Sequence, residues 1–282
     1  MSGFSIDWLD LREDADHRAR SSTLLEQALR WLTAHPSSPG KPVVVDLGAG
    51  TGSTLRAFAA SGAGTGSLTW QLVDHDRTLL DEVQRRHGAE HQIKCCEADL
   101  TRITALPLQD AALLTASALF DLVSADFIEA LASRLQHQNQ AQPIGVYAAL
   151  NYDGITRWTP SHPLDDTVLD AFNRDQRRDK GFGPALGPEA GDCMQRVFTQ
   201  AGFTVHSASS PWELDGNDQQ LVSALIDGIA GAVAQDPRLD SATLRDWVDF
   251  RLKNVASGTC IVGHTDLLAL PELAGNQTIN DR

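Results

Sequence analysis

Several features that would assign the chain to a special class of protein are scarce or missing. The 282 residues include only four cysteines, Cys95, Cys96, Cys193 and Cys260. Their spacing forms neither a Cys-x-x-Cys pair nor a zinc ribbon. No apolar run approaches the roughly 20 residues that a membrane-spanning helix needs, and the first residues lack the cationic start and apolar stretch of a secretory signal. We therefore expect a cytoplasmic protein with no membrane segment.

Positive charge is also in short supply. The chain carries 23 lysines and arginines against 37 aspartates and glutamates, which gives a formal net charge of −14. A protein that binds the phosphates of a nucleic acid needs a basic face, so nucleic acid is not an expected partner. The hydrophobic content of 42% is nevertheless enough to bury a substantial core.

The sequence does contain an alternation of short apolar runs and amphipathic segments. Apolar and β-branched runs predict five strands, at 43–47, 68–73, 92–97, 111–116 and 144–150. Helical periodicity predicts helices at 22–34, 53–61 and 77–87, and another through Ile128 to Leu135. Thr23 and Glu26 fit a capping box, and Asp76 is a plausible N-cap. Strands joined by single helices favour a doubly wound, mainly parallel α/β sheet.

The alternation of predicted strands and helices becomes less regular after residue 151. Further helices are expected at 166–176, through Met194 to Phe198 with an end at Gly202, near 218–234 and near 240–256, and further strands at 203–207 and 259–262. The sheet would then have seven strands. The predicted organisation is an N-terminal helical cap over 1–40 and a Rossmann-like domain over 41–282, with cap insertions near 151–190 and 215–256.

A glycine-rich turn follows the first predicted strand in Val45-Asp46-Leu47-Gly48-Ala49-Gly50-Thr51-Gly52-Ser53. Glycines at such a place let backbone N–H groups approach a ligand and allow positive φ. The pattern departs from the dinucleotide fingerprint G-x-G-x-x-G, because Ser53 stands where the third glycine would be. Asp46 suits a cationic group of a ligand better than a pyrophosphate.

Two further acids stand at strand ends. Asp74 ends the second strand, where a carboxylate can accept hydrogen bonds from ribose hydroxyls, and His75 beside it is placed to border a base. Asp99 ends the third strand, next to Leu100, and is placed to accept from an adenine amino group. An acid at a strand end is ordinarily a helix N-cap, but three acids in register with one glycine turn are harder to explain by structure alone.

In this order, Asp46 with the glycine turn, Asp74 and Asp99 resemble the motifs of class I S-adenosylmethionine-dependent methyltransferases. The resemblance covers residues 41–151 well and is only consistent with 200–208 and 259–268. It implies a Rossmann-like methyltransferase fold, S-adenosylmethionine as cofactor and a small-molecule methyl acceptor. The residues expected to bind the cofactor are Asp46, Gly48, Ala49, Gly50, Asp74, His75, Asp99, Leu100, Ser117 and Arg20. Arg20 is included because a leading helix in related folds often covers the cofactor, where an arginine could hold its carboxylate.

The acceptor end is less defined by the sequence. Asp121, after the fourth strand, is a candidate base or substrate contact, although acids in such loops are more often caps. Tyr152, after the fifth strand, is a candidate substrate contact or a packing residue. The spacing of the histidines and acids indicates no metal site.

One basic segment stands out in this acidic chain. It contains Arg174, Arg177, Arg178 and Lys180, and the last three are candidate substrate-binding residues for an acidic small molecule. The alternative is a solvated helix face on which Asp170 pairs with Arg174.

Three other functions stay open from the sequence. One is a non-catalytic or accessory protein that binds S-adenosylmethionine, since intact cofactor motifs do not prove turnover. Another is an NAD-dependent oxidoreductase, which Ser53, Asp46 and Asp99 disfavour. The third is aminopropyl transfer, for which Asp121 alone is thin support.

Overall fold

Eight strands form one mixed sheet in the computed structural model, which describes residues 4–35, 40–62, 67–139 and 142–272. They are β1 (Val43–Leu47), β2 (Thr69–Asp74), β3 (Gln92–Glu97), β4 (Ala111–Ser117), β5 (Gly145–Thr159), β6 (Phe203–Ser209), β7 (Trp212–Leu214) and β8 (Thr259–Pro271). The order is β3-β2-β1-β4-β5-β8-β6, with β7 paired to β8 off this path. Strands β1 to β5 pair in parallel, whereas β8 is antiparallel to β5, β6 and β7. The predicted doubly wound α/β fold is confirmed, and β7 adds a short eighth strand.

Nine α-helices lie in the described ranges. They are α1 (Ile6–Ala19), α2 (Ser22–Ala34), α3 (Ser53–Ala60), α4 (Arg77–His87), α5 (Ala125–Gln138), α6 (Asp165–Gln176), α7 (Ala190–Gln200), α8 (Gln219–Val233) and α9 (Ser241–Lys253). Asp76 is the N-cap of α4, as predicted, and accepts from the Thr78 N–H at 2.8 Å. The predicted capping box is wrong, because Ser21 is the N-cap of α2 and Thr23 lies inside the helix. No helix in the described ranges is long and apolar enough to cross a membrane.

Helix α1 lies within the predicted N-terminal helical cap, but the sequence did not predict a separate helix over Ile6–Ala19. Its buried residues are Arg12, Ala15 and Asp16, and two of these three are charged. Trp8 and Leu11 pack against the protein only partly buried. Charged residues on the buried face weaken the apolar stripe of the helix, and hydrophobic periodicity therefore does not detect it.

Strands β5 and β8 are much longer than predicted. The prediction ended β5 at residue 150, but after Leu150, which has φ of 57°, the strand continues to Thr159. Its pairing with β8 shifts register between Ala148 and Asn151 and again between Tyr152 and Thr156. Polar residues are buried along this extension, so the sequence there lacks the apolar run that marks a central strand.

Apolar side chains cover both faces of the sheet. In β1, Val44 belongs to the cluster beneath α2, α3 and α4, whereas Val45 belongs to the cluster beneath α5 and α7, as the alternation of side chains along a strand requires. A third cluster joins α6, α8 and α9 to β7 and to the extensions of β5 and β8. Most residues of this third cluster come from the two predicted cap insertions. The predicted division of the chain into an N-terminal cap and a Rossmann-like domain stays a prediction. The arrangement leaves the carboxyl ends of the parallel strands open to a ligand.

Candidate functional site

A cavity of about 640 Å³ lies at the carboxyl ends of β1 to β4, where doubly wound sheets bind ligands. Its size falls within the roughly 300–1,000 Å³ of small-molecule sites. Its wall is formed by Phe4, Leu9, Arg12, Glu13, Asp16, Gly48, Ala49, Gly50, Thr51, Ser53, Thr54, Asp74, His75, Leu79, Glu97, Ala98, Asp99, Leu100, Thr101, Ser117, Ala118, Leu119, Leu122 and Phe182. Eight of the ten residues predicted to bind a cofactor are in this set, and the other two are Asp46 and Arg20.

The glycine turn between β1 and α3 forms the floor of the cavity. Gly48, Gly50 and Gly52 all have positive φ, of 62°, 54° and 88°. Residues other than glycine rarely adopt such angles. A Cβ on Gly52 would also lie 2.7 Å from Val83 Cγ2. The turn therefore needs these glycines for its conformation, and its backbone stays close to the cavity.

Asp74, at the end of β2, is held by the backbone around it. Its Oδ2 accepts from the Gly50 N–H at 2.9 Å, and its Oδ1 accepts from the Asp76 N–H at 3.0 Å. His75 Nδ1 lies 3.2 Å from the same Oδ1. An ionised carboxylate has about four acceptor positions. Asp74 thus fixes the glycine turn and still has positions for the hydroxyls of a ligand.

Asp99 and Leu100 form the part of the wall beyond β3. The Asp99 side chain is exposed and accepts from the N–H of Thr101 at 3.0 Å and from its hydroxyl at 2.6 Å. These hydrogen bonds, with the nearby charge of Arg102, hold the pKa of Asp99 below its usual value. Leu100 is buried beside it. The pair offers an ionised acceptor next to an apolar surface, which is what an aromatic base with an amino group requires.

Asp46 lies behind the glycine turn instead of in the cavity wall. It is 1% exposed, and its Oδ1 accepts from the Thr115 hydroxyl at 2.6 Å. Burial raises its pKa to about 6. The structure therefore does not bring this carboxylate into contact with the cavity, although the sequence places it among the ligand-binding residues.

Arg20 stands at the end of the cavity near β4. Its Nη2 donates to Ser53 Oγ at 3.1 Å and to Ser117 Oγ at 2.8 Å, and both serines belong to the cavity wall. The guanidinium is buried, and its Nη1 has no hydrogen-bond partner among the described residues. Burial opposes the charged form of Arg20, but Tyr147, Asp16 and Asp266 nearby favour it, and the pKa of Arg20 is raised. Arg20 is therefore a buried cation held behind two serines of the cavity wall.

Helix α1 supplies wall residues that the sequence did not identify. Arg12 donates from Nε and Nη2 to both carboxylate oxygens of Asp16, at 2.9 and 3.0 Å. Trp212 Nε1 donates to Asp16 Oδ1 at 3.0 Å, and the Arg12 guanidinium lies 4.9 Å from the Trp212 ring centroid. The i,i+4 spacing of Arg12 and Asp16 was the available signal, but such pairs are common on exposed helices.

The two candidate catalytic residues are buried, and neither is in the cavity wall. Asp121 lies between Leu119 and Leu122, two wall residues, and its Oδ1 has no hydrogen-bond partner among the described residues. Burial raises the pKa of Asp121 to about 6. The Tyr152 hydroxyl donates to Asn173 Oδ1 at 2.9 Å, and burial raises its pKa to about 12. Tyr152 is thus engaged in packing and hydrogen bonding, whereas Asp121 has acceptor capacity to spare.

The basic segment lies close to the cavity, because Phe182, two residues after Lys180, belongs to the cavity wall. Arg177 pairs with Glu189, while Arg178 and Lys180 both pair with Asp175, and none of the three basic residues is in the wall. The predicted pairing of Arg174 with Asp170 is wrong, since Arg174 pairs with Asp236. The structure does not bring the three candidate substrate-binding residues together with the cofactor-binding candidates.

The described residues contain no group of three or more histidine, cysteine, aspartate or glutamate side chains that could hold a metal ion. His264 is buried, and burial lowers its pKa to about 3. It packs against Trp212 with ring centroids 5.0 Å apart, so its surroundings are those of a packed neutral ring.

Comparison with known proteins gives a likeness in fold. No family model and no curated protein sequence matches the chain. Among solved structures, the cyclopropane synthase MmaA2 from Mycobacterium tuberculosis is 12% identical, with 95% of this chain and 94% of that chain covered and a TM-score of 0.48. Mycolic acid cyclopropane synthase CmaA1, complexed with SAH, is 13% identical over 88% and 83%, with a TM-score of 0.49. Geranyl diphosphate C-methyltransferase from Streptomyces coelicolor, complexed with Mg²⁺, geranyl diphosphate and S-adenosylhomocysteine, is 12% identical over 88% and 77%, with a TM-score of 0.41. Similarity this low carries no inference about ligand or reaction, and the fold assignment rests on the strand order.

Proposed function

We propose that the protein is an S-adenosylmethionine-dependent methyltransferase that acts on a small-molecule acceptor. The observation that carries the proposal is the order of polar groups along one cavity. Asp99 follows β3, Asp74 follows β2, the glycine turn follows β1 and Ser117 ends β4, with Arg20 bound to Ser117. These strands are consecutive neighbours in the sheet. At about 4.8 Å between strands, the series extends over roughly 14 Å, a length that suits an extended adenosyl amino acid.

Each polar end of that cofactor has a matching group. Asp99 and Leu100 would hold the adenine, with His75 at its border, and Asp74 would accept from the ribose hydroxyls. The methionine carboxylate would lie near Ser53 and Ser117 of the wall, and Arg20 behind them, which donates to both hydroxyls, would supply the positive charge. The backbone of Gly48, Ala49 and Gly50 would lie beneath the ligand.

The same contacts disfavour a dinucleotide. A pyrophosphate in a Rossmann fold binds to free backbone N–H groups of the glycine turn. Here the Gly50 N–H is donated to Asp74 Oδ2, and the wall nearby holds the carboxylates of Asp74, Glu97 and Asp99. Negative charge repels phosphates and favours a ligand with a sulfonium and an ammonium group.

S-Adenosylmethionine, when bound, supplies an electrophilic methyl group whose leaving group is already activated. The protein therefore has to align the acceptor and exclude water. The cavity wall has apolar surface from Phe4, from Leu9 of α1, from Leu119 and Leu122 after β4, and from Phe182. Asp121 is the residue we propose as proton acceptor, with Tyr152 as a neighbour that keeps its surroundings dry. The enclosed wall supports a small molecule in place of a nucleic acid, in a protein that we expect to be cytoplasmic.

Calorimetric titration tests the proposal with three ligands: S-adenosylmethionine, S-adenosylhomocysteine and NADH. We expect the first two to bind and NADH not to bind. Asp74→Asn should weaken both by about 10- to 150-fold, the equivalent of roughly 1.5–3 kcal/mol for a charge-assisted hydrogen bond. Asp81→Asn is the matched control, since Asp81 is an exposed residue of α4 paired only with Arg77.

Three outcomes decide between the functions. Preferential binding of NADH, or no binding of either adenosyl ligand, would refute the proposal. Loss of affinity in Asp81→Asn equal to that in Asp74→Asn would refute the role of Asp74. Tight binding of S-adenosylmethionine without methyl transfer to any member of a broad metabolite panel would favour the accessory protein.

A further inference from the structure

His75 is the only histidine in the cavity wall among the described residues. It follows Asp74 directly at the end of β2, its side chain is 49% exposed, and its Nδ1 lies 3.2 Å from Asp74 Oδ1. Histidine is the side chain that ordinarily changes its charge between pH 5 and 8. The cavity therefore contains a group whose charge follows the pH in this range, in contact with the carboxylate proposed to hold the ribose.

The protein already uses half of the acceptor capacity of Asp74. An ionised carboxylate has about four acceptor positions. The Gly50 N–H takes one on Oδ2 at 2.9 Å, and the Asp76 N–H takes one on Oδ1 at 3.0 Å. The positions that remain, one on each oxygen, are as many as the two hydroxyls of a ribose. A third donor from the protein would therefore leave too few positions for the sugar.

The protonation state of His75 decides whether that third donor is present. A neutral imidazole carries a single N–H, which can lie on Nε2 and leave Nδ1 as an acceptor. A protonated ring carries an N–H on both nitrogens, and its Nδ1 then donates to Asp74 Oδ1, which lies within hydrogen-bond distance. A hydrogen bond between two charged groups is stronger than one between neutral groups. The protonated ring therefore occupies the position on Oδ1 that a ribose hydroxyl needs.

The charged groups on this side of the cavity are mostly acids. Asp74 contacts His75 from β2, and Asp99, after β3, is close enough to interact with its charge. Glu97, at the end of β3, pairs in register with Asp74 and belongs to the same wall. The cation nearest in sequence, Arg77 of α4, is engaged with an acid of its own helix. A protonated His75 would therefore be held among carboxylates instead of being repelled.

We propose that His75 makes the binding of the adenosyl cofactor sensitive to pH, because its protonated ring competes with the ribose for Asp74 Oδ1. The inference rests on the proposed function and adds a regulation of the same site. Neutral His75 leaves both remaining acceptor positions of Asp74 to the ribose, whereas protonated His75 closes one of them. The affinity for the cofactor is then highest at the alkaline end of this pH range and falls as the pH falls.

Calorimetric titration of S-adenosylhomocysteine at pH 8 and at pH 5.5 tests this inference. The readout is the ratio of the two dissociation constants within one protein, so a general change in affinity does not affect it. We expect the unmodified protein to bind at least about tenfold more weakly at pH 5.5, because one hydrogen bond to a charged acceptor is lost. His75→Phe keeps an aromatic ring that cannot be protonated, and its ratio should stay below about threefold.

Controls separate His75 from other groups that titrate in the same range. Burial raises the pKa of both Asp46 and Asp121 to about 6, and both acids are retained in His75→Phe. His206→Phe is the matched variant, because His206 is an exposed histidine of β6 outside the cavity wall, and its ratio should equal that of the unmodified protein. Adenosine and 2′,3′-dideoxyadenosine, compared by ligand-observed NMR, need no variant. Only adenosine, which has the ribose hydroxyls, should lose affinity at the lower pH.

Three results would overturn the inference. They are the same ratio in the unmodified protein and in His75→Phe, an affinity of the unmodified protein that does not change with pH, or an equal effect of pH on the two nucleosides. Absence of S-adenosylhomocysteine binding at pH 8 would refute the proposed function instead, and the two failures are thus distinguishable.

Discussion

Asp16 is the residue whose removal should destabilise helix α1 most. Its carboxylate accepts three hydrogen bonds, from Arg12 Nε at 2.9 Å, from Arg12 Nη2 at 3.0 Å and from Trp212 Nε1 at 3.0 Å. The side chains of Arg12 and Asp16 are only 10% and 5% exposed. Asp16→Ala would leave the Arg12 guanidinium buried without a counter-charge and Trp212 without an acceptor.

Breaking a buried ion pair from one side typically costs about 3–5 kcal/mol, because the remaining charge stays uncompensated. We expect Asp16→Ala to lower the free energy of unfolding by that amount. The double variant Arg12→Met, Asp16→Leu removes both charges and keeps apolar volume, so it should cost much less, about 0–2 kcal/mol. The exposed pair of Arg18 and Asp218 supplies the control, since Arg18 is 51% exposed and Arg18→Ala should cost at most about 1 kcal/mol.

Urea unfolding followed by circular dichroism measures all of these variants under one set of conditions. The decisive comparison is between the single and the double variant. If Asp16→Ala cost less than about 1 kcal/mol, or if the double variant were as unstable as the single one, the buried pair would not be the interaction that holds α1 on the protein.

Three further predictions concern the turn, the buried acid and the cofactor carboxylate. Gly52→Ala should destabilise the protein by about 1–3 kcal/mol, because its φ is 88° and the new Cβ would lie 2.7 Å from Val83 Cγ2. Gly228→Ala in α8 is the control, since no atom lies within 4 Å of its new Cβ, and it should be neutral or stabilising in the same urea assay. Equal effects of the two substitutions would contradict the prediction. Burial raises the pKa of Asp121 in the folded protein to about 6, above the ordinary value of 3.8. The native state therefore binds the extra proton between these values, and stability falls as the pH rises through that window. Asp121→Asn should match the unmodified protein near pH 4 and exceed its stability by about 2–3 kcal/mol at pH 8, and a pH-independent difference would contradict the effect of burial. Arg20→Gln should weaken S-adenosylhomocysteine by about 10- to 100-fold but leave 5′-methylthioadenosine, which has no carboxylate, unchanged in calorimetry; equal losses for both ligands would show that Arg20 acts only on the fold.

The parallel half of the fold could be predicted because its residues follow simple periodicities. The bounds of β1, α4 and β3 agree with the predicted 43–47, 77–87 and 92–97, since each is a short apolar run or an amphipathic segment with turn residues on both sides. The extension of β5 beyond residue 150 could not be predicted in this way. It buries Asn151 and Thr156, and buried polar residues leave no signal in hydrophobicity.

The candidate site likewise contains residues that the sequence could predict and residues that it could not. Residues at strand ends, such as Asp74 and Asp99, reach the cavity because the topology of a doubly wound sheet places them there. Arg12 and Asp16 could not be identified, because their role depends on how α1 packs against Trp212, about 200 residues later in the chain. Asp46 shows the reverse case, in which a residue next to the glycine turn is directed at Thr115 and away from the cavity.

A crystal structure of the protein with S-adenosylhomocysteine would test the central claim most directly. We expect the ribose hydroxyls on Asp74, the adenine beside Asp99 and Leu100, and the carboxylate at the serines that Arg20 contacts, Ser53 and Ser117. Ligand density elsewhere on the surface, or an adenosyl group turned so that the carboxylate meets Asp99, would contradict the assignment of this cavity.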